Sequence, residues 1–181
     1  MRQRLPLMGL TVIGGLLTAK ILEVAGTTGE GELSTTDLLR YVPIIVGLAG
    51  NVGIQSSTIL VRGFATGEVD ADRELSVVNS EVLTGTMIGL LCGIVTAGVA
   101  VFSEASEAGL AVSFATAIGI AIAIAVAWAA LLGCLVPLGC RRLGIDPAIV
   151  AGPFLITMSD VSGTAIFMTV GHLIVSAGAA G

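Results

Sequence analysis

Charge is the scarcest property of this chain. Only 12% of its 181 residues are charged, against roughly 25% in an ordinary soluble domain. That excludes a conventional water-facing surface. The net charge is −5 and no basic cluster is larger than Arg141–Arg142, which excludes a general nucleic-acid surface. Aromatic side chains amount to 4% beside 25 glycines, so helices can pack backbone to backbone with little bulk between them. Cys92, Cys134 and Cys140 lie scattered in apolar sequence without metal-ligand spacing, and buried unpaired thiols are the simpler reading. No Walker A sequence, dinucleotide fingerprint or H-E-x-x-H motif is present. A membrane aspartyl protease would need two intramembrane aspartates, and only Asp160 qualifies.

What fills the chain instead is apolar: 55% hydrophobic residues and a mean hydropathy of +1.02. This is the composition of an integral membrane protein, and the windows are long enough for helices. Leu5 to about Val24 is the first span; with more spans following and no clean cleavage site, it reads as retained rather than as a signal peptide. The second runs from Leu38 to about Phe64, the third from about Val77 to Phe102. The fourth, Gly109 to about Cys140, would reach on the order of 45 Å if fully helical, so it must tilt, break near Pro137 or project beyond a ~30 Å core. Its Ala121, Ala125, Ala129 and Gly133 form a small-residue ridge for close packing. The fifth is predicted to open at Asp146–Pro147, with Asp146 as cap and Pro147 at the first helical position, and to continue to about residue 176. The spans leave no soluble domain within residues 1–181.

Orientation follows from the basic residues. With five spans, Arg2, Arg4, Arg62, Arg73, Arg141 and Arg142 fall on one side. Glu23, Glu30, Glu32, Asp37, Glu104 and Glu107 gather on the other, with only Lys20 and Arg40 near them. The positive-inside rule then places the amino terminus in the cytoplasm and the carboxyl terminus outside. An acidic outer face concentrates cations at an entrance.

Asp160 is the strongest functional candidate. It lies 14 residues past the expected cap, roughly 21 Å along a continuous helix, where an ionised side chain costs about 3 kcal/mol and normally faces a cavity or a cation. Thr157 and Thr164 stand at i−3 and i+4 from it, and Ser159 precedes it, all oxygen donors. Hard oxygen ligands suit magnesium or calcium rather than zinc or copper, and magnesium keeps much of its water. Asn51 and Gln55 share one face of the second span. Two readings stand for them: hydrogen bonding to another helix, or a cavity wall where Gly47, Gly50 and Gly53 permit a kink. Glu81 is either a second pathway carboxylate or an interfacial residue, His172 reads as interfacial and Trp128 as packing.

Two stretches carry a resemblance. P-I-I-V-G-L-A-G-N-V-G-I-Q-S in the second span and D-P-A-I-V-A-G-P-F-L-I-T-M-S-D-V-S-G in the fifth resemble the membrane domain of the MgtE family of magnesium channels and transporters. The R-G-F-A-T-G-E after the second span and the R-L-G-I-D-P linker are also similar, so the resemblance covers nearly the whole chain. It implies an all-α, five-span homodimer in the inner (plasma) membrane, with a pore on the two-fold axis lined by the second and fifth spans. Asp160 matches the pore aspartate, which with its copy would bind hydrated Mg²⁺, the transported ion. Gly152 falls where the pore helix faces the ion path, and Asn51 and Gln55 match the G-N-x-G-x-Q element. Bacterial members usually carry a cytoplasmic amino-terminal domain and paired CBS domains that sense Mg²⁺, whereas here Met1 is followed almost at once by the first span. The expected function is divalent-cation transport, not enzymatic catalysis. The rivals are a Na⁺- or H⁺-coupled carrier for Mg²⁺, Mn²⁺, Co²⁺ or Ca²⁺, and a non-transporting membrane module that needs a separate regulatory partner.

Overall fold

The computed structural model describes residues 4–26, 35–70, 72–103, 108–150 and 152–179. Among these all regular structure is helical: α1 (Arg4–Gly26), α2 (Thr35–Leu38) running through a 3-10 turn at Leu39–Tyr41 into α3 (Val42–Thr66), α4 (Glu74–Ser103), α5 (Ala108–Arg142), α6 (Pro147–Val150) and α7 (Pro153–Ala179). Five of them, α1, α3, α4, α5 and α7, are long and apolar enough to cross a membrane. Glu30, Glu32, Glu104 and Glu107 of the acidic face, and Arg2, lie outside the described residues.

Local chemistry sets most of the ends. Pro43 stands in the first turn of α3, where its missing N–H costs nothing. Gly67 ends that helix at φ 72°, a conformation that glycine adopts without strain. Arg141 and Arg142 occupy the last turn of α5, beside its negative dipole end. Gly144, at φ 69°, then turns the chain, and Asp146 Oδ1 caps α6 by accepting the Ala148 N–H at 2.9 Å.

The expected fifth helix does not run on from that cap. Helix α6 is four residues long, Gly152 is a turn residue, and a new helix starts at Pro153. Pro153 has no N–H to give a preceding turn and its ring disfavours helical backbone just before it. The stretch therefore contains two proline starts, and the second one governs Asp160. Asp160 lies seven residues into α7, roughly 10 Å from its start, not 14 residues along one rod. The fourth span also resolves its own length problem without a break: α5 passes through a buried Pro137 and spans 35 residues.

Helix α5 is the hub, packing against α3, α4 and α7. Its ridge of Ala121, Ala125, Ala129 and Gly133 is buried throughout. The α4–α5 seam is equally close, because Gly85 faces Ala130, Gly89 faces Ala123 and Gly93 faces the Gly119 backbone. At one end of the bundle Arg141 ties three elements together. It donates to the Val69 carbonyl at 3.3 Å and to Glu74 Oε1 at 3.2 Å, and stacks over the Phe64 ring at 4.5 Å. Helix α1 packs chiefly on α7 and, among the described residues, reaches the core only through Leu22 and Ala25 near its end.

Candidate functional site

Helices α3 and α7 run antiparallel, and the pairs Ala49–Gly163, Gly50–Asp160 and Gly53–Ser159 record their register. The glycines on α3 matter by what they leave room for. A Cβ at Gly53 would lie 2.9 Å from Ser159 Oγ and 3.2 Å from the Ala129 carbonyl oxygen. At Gly50 it would lie 3.3 Å from Asp160 Oδ1. Gly133 on α5 is pressed against the Gly53 backbone from the third side. Small residues at these positions thus let polar atoms of α7 sit directly on α3. That is the role of Gly50 and Gly53 here, since α3 runs as a single helix through both and through Gly47, where a Cβ would meet open space.

Those polar atoms are unsatisfied. Asp160 Oδ1, Ser159 Oγ, Thr164 Oγ1 and Ser57 Oγ are buried without a hydrogen-bond partner among the described residues. Asp160 as a whole is half-buried, whereas Ser57, Ser159 and Thr164 are buried. Other hydroxyls, on α3 as well as on α4 and α5, behave differently. Thr58, Thr84, Thr86, Thr96 and Thr116 each donate to the carbonyl one turn earlier, at 2.7–2.8 Å. A buried polar atom without a partner costs about 1–3 kcal/mol, and all four of these lie on α3 and α7.

The remaining candidates divide. Thr157 is buried, but its hydroxyl donates to the Pro153 carbonyl at 2.8 Å and its methyl group lies against Gly14 of α1. Gly152 stands in the turn ahead of α7, not on its wall, with open space where a Cβ would be. Asn51 and Gln55 are exposed on α3, off the α7 contact, and among the described residues they bond no neighbouring helix. Glu81 is half-buried on α4, which packs on α5, and the fold does not draw it toward α7. His172 is half-buried beside Lys20 in a groove of about 540 Å³ between α1 and α7. Trp128 donates to Ser162 Oγ at 3.0 Å, a bond from α5 to α7.

Ser57 was missed by sequence reasoning, although its spacing carried the signal. It follows Gly53 by four residues and Gly50 by seven, which places all three on one helical face. Among the described residues no three His, Cys, Asp or Glu side chains converge on a point. The donor set on offer is therefore one carboxylate with hydroxyls, which fits a hard, largely hydrated cation better than a tightly chelated metal.

A bundle of five membrane-length helices with an unsatisfied carboxylate in the last of them defines a multi-pass membrane protein with an oxygen-lined polar site. Residues 42–170 match the MgtE family, described as divalent cation transporters, and the chain belongs to that family. It is 32% identical over 166 residues to the magnesium transporter MgtE of Thermus thermophilus, covering 92% of this chain and 35% of that protein. It is 29% identical over 172 residues to the magnesium transporter MgtE of Enterococcus faecalis, covering 94% and 36%. A rat protein, solute carrier family 41 member 3, is 26% identical over 132 residues, covering 69% and 28%. The chain thus spans little more than a third of the length of these relatives at most.

Proposed function

We propose that the chain conducts divalent cations, Mg²⁺ first among them, across the inner (plasma) membrane along the face where α3 meets α7. The observation that carries this reading is the unsatisfied Oδ1 of Asp160, set against Gly50 within a helix long and apolar enough to cross a membrane. A carboxylate in such a place needs a cation or water. Ser159, Thr164 and Ser57 supply further oxygens that would accept or donate to an ion's hydration shell. An Mg²⁺ ion that keeps its waters needs no tighter cage.

The reading includes a homodimer. Gly47, Asn51, Gln55, Thr58 and Arg62 recur along the exposed side of α3, through the centre of a membrane-length helix. Amide side chains facing lipid would be costly. A two-fold axis beside α3 would turn this stripe toward its own copy and enclose it. Two Asp160 carboxylates would then approach one path, and a shared cation would relieve their repulsion. Inside-negative voltage would drive entry by about 4.6 kcal/mol per 100 mV for a divalent ion. The amino terminus is placed in the cytoplasm, and Glu81, on α4, is left at the edge of the pathway.

The test is divalent-ion flux into proteoliposomes containing this chain alone, under voltage and with or without a Na⁺ or pH gradient. Voltage-driven Mg²⁺ flux that Asp160→Ala abolishes supports the pore. Flux that requires the Na⁺ or proton gradient replaces the pore with a coupled carrier. Flux that is indifferent to Asp160 removes this residue from the mechanism.

A further inference from the structure

Helix α1 touches the rest of the chain in an unusual way. Of its membrane-length window only 6% is buried, against 44% for α3 and α7 and 56% for α5. Nearly all of its packing is against α7, the helix that carries Asp160. The closest point of that packing is Gly14, where a Cβ would fall inside the methyl group of Thr157. The demand is local to this residue, since a Cβ at Gly9 or Gly15 would meet nothing within 4 Å.

Thr157 is held for this contact. Its hydroxyl donates to the Pro153 carbonyl at 2.8 Å, which fixes the side-chain rotamer and leaves the methyl directed at Gly14. Thr157 precedes Asp160 by three residues, so the two lie on neighbouring parts of one face. On its other side the same turn of α7 rests on α3 through Gly53–Ser159 and Gly50–Asp160. The turn bearing the carboxylate is therefore clamped between α1 and α3 at matching heights.

We propose that Gly14 is a positioning residue for the cation path: by admitting the Thr157 methyl it sets how closely α1 approaches α7, and so where Asp160 stands against Gly50. This inference rests on the pathway reading above. A methyl group added on α1 would push α7 toward α3, and one removed from α7 would let α1 close in or leave a gap. Moving the methyl across the interface, from Thr157 to Gly14, would keep the total volume and restore the spacing. Serine at position 157 retains the hydroxyl and its bond to Pro153, and so isolates the methyl.

The experiment is Mg²⁺ flux in proteoliposomes of the full chain, per unit of folded reconstituted protein, over a range of Mg²⁺ concentrations. The variants are Gly14→Ala, Thr157→Ser, the double variant, and Gly15→Ala as a control on the same helix. Each of the first two should shift the half-saturating Mg²⁺ concentration by about threefold or more, the lower end of couplings between residues in contact. The double variant should return to within about twofold of the original, as should Gly15→Ala. Should Gly14→Ala not survive reconstitution, Thr157→Ser against the double variant decides: the first must be shifted and the second restored. Unshifted single variants, or a double variant no better than the worse single, overturn the proposal. A change confined to the yield of folded protein also overturns it. Asp160→Asn, run in parallel, reports on the pathway itself. Flux unaffected by that change refutes the carboxylate reading whatever the Gly14 series shows.

Discussion

The α4–α5 and α3–α7 seams are both built on glycine, and they differ in what the glycine admits. Across α4–α5, Gly85, Gly89 and Gly93 receive Ala130, Ala123 and the Gly119 backbone, so carbon and backbone meet glycine. The hydroxyls of Thr84, Thr86, Thr96 and Thr116 on those helices are each closed off by a carbonyl of their own helix. Across α3–α7 the same device admits Ser159 and Asp160, and polar oxygens are left without partners. The first seam has the chemistry of packing alone. The second carries a standing cost that packing does not require.

Neutralising Asp160 separates the two seams most sharply. Asp160→Asn should lower Mg²⁺ flux by about 100-fold or more, since an ionised intramembrane carboxylate represents about 3 kcal/mol of interaction with its cation or water. The same change should leave the melting temperature in detergent unchanged or higher, because it removes a charge from an apolar surrounding. A variant that loses flux together with its fold would make Asp160 a structural residue.

The glycines give the next contrast. Gly93→Ala and Gly53→Ala both insert a methyl into a closed seam, and each should destabilise by about 1–3 kcal/mol. Thermal unfolding should not distinguish them. Transport should: Gly93→Ala should keep the original half-saturation per folded molecule, while Gly53→Ala, which displaces Ser159, should shift it. Equal shifts in both would mean that the α3–α7 seam has no special standing.

Hydroxyl deletions should act more weakly and in the same sense. Ser159→Ala and Thr164→Val remove buried oxygens that have no partner, so stability should hold or rise by about 1 kcal/mol. Mg²⁺ flux should fall several-fold. Thr96→Val on α4, whose hydroxyl already bonds the Cys92 carbonyl at 2.8 Å, should leave flux unchanged. Flux assays beside melting curves would show whether the two properties part company only on α3 and α7.

How far this contrast was visible in advance depends on which property carried it. Chain-wide hydropathy marked five spans because crossing a bilayer is a demand on length and composition. Asp160 stood out as the lone carboxylate deep in its span, and the α5 ridge stood out by its four-residue spacing. What hydropathy could not show was which face meets which neighbour, since helices apolar all round have no amphipathic stripe to read. Gly14 was therefore silent, being an ordinary small residue until α7 is placed beside it, whereas Ser57 shares a helical face with Gly50 and Gly53 and only its missing partner needed the fold to be seen. The restart at Pro153 was hidden for another reason: Asp146–Pro147 is itself a valid helix start, and the chain uses it for only four residues.

The smallest effect belongs to the end of the bundle, where no buried side-chain polar atom of the described residues is left without a partner. Glu74 accepts from Arg141 at 3.2 Å and pairs with Arg142 at 3.6 Å, and both arginines are substantially exposed. Exposed pairs of this kind contribute about 0–1 kcal/mol, so Glu74→Gln should move the melting temperature little and leave flux intact. Arg141→Ala should cost more, because it also removes the bond to the Val69 carbonyl and the stacking on Phe64. That carbonyl belongs to the loop that follows α3, and Phe64 lies in its last turn. Loosening both should therefore fray the end of α3 first, read as faster amide exchange near Phe64, while the Asp160 region four turns away stays protected. Exchange that spreads evenly along α3 would show instead that the two ends of the α3–α7 seam open as one unit.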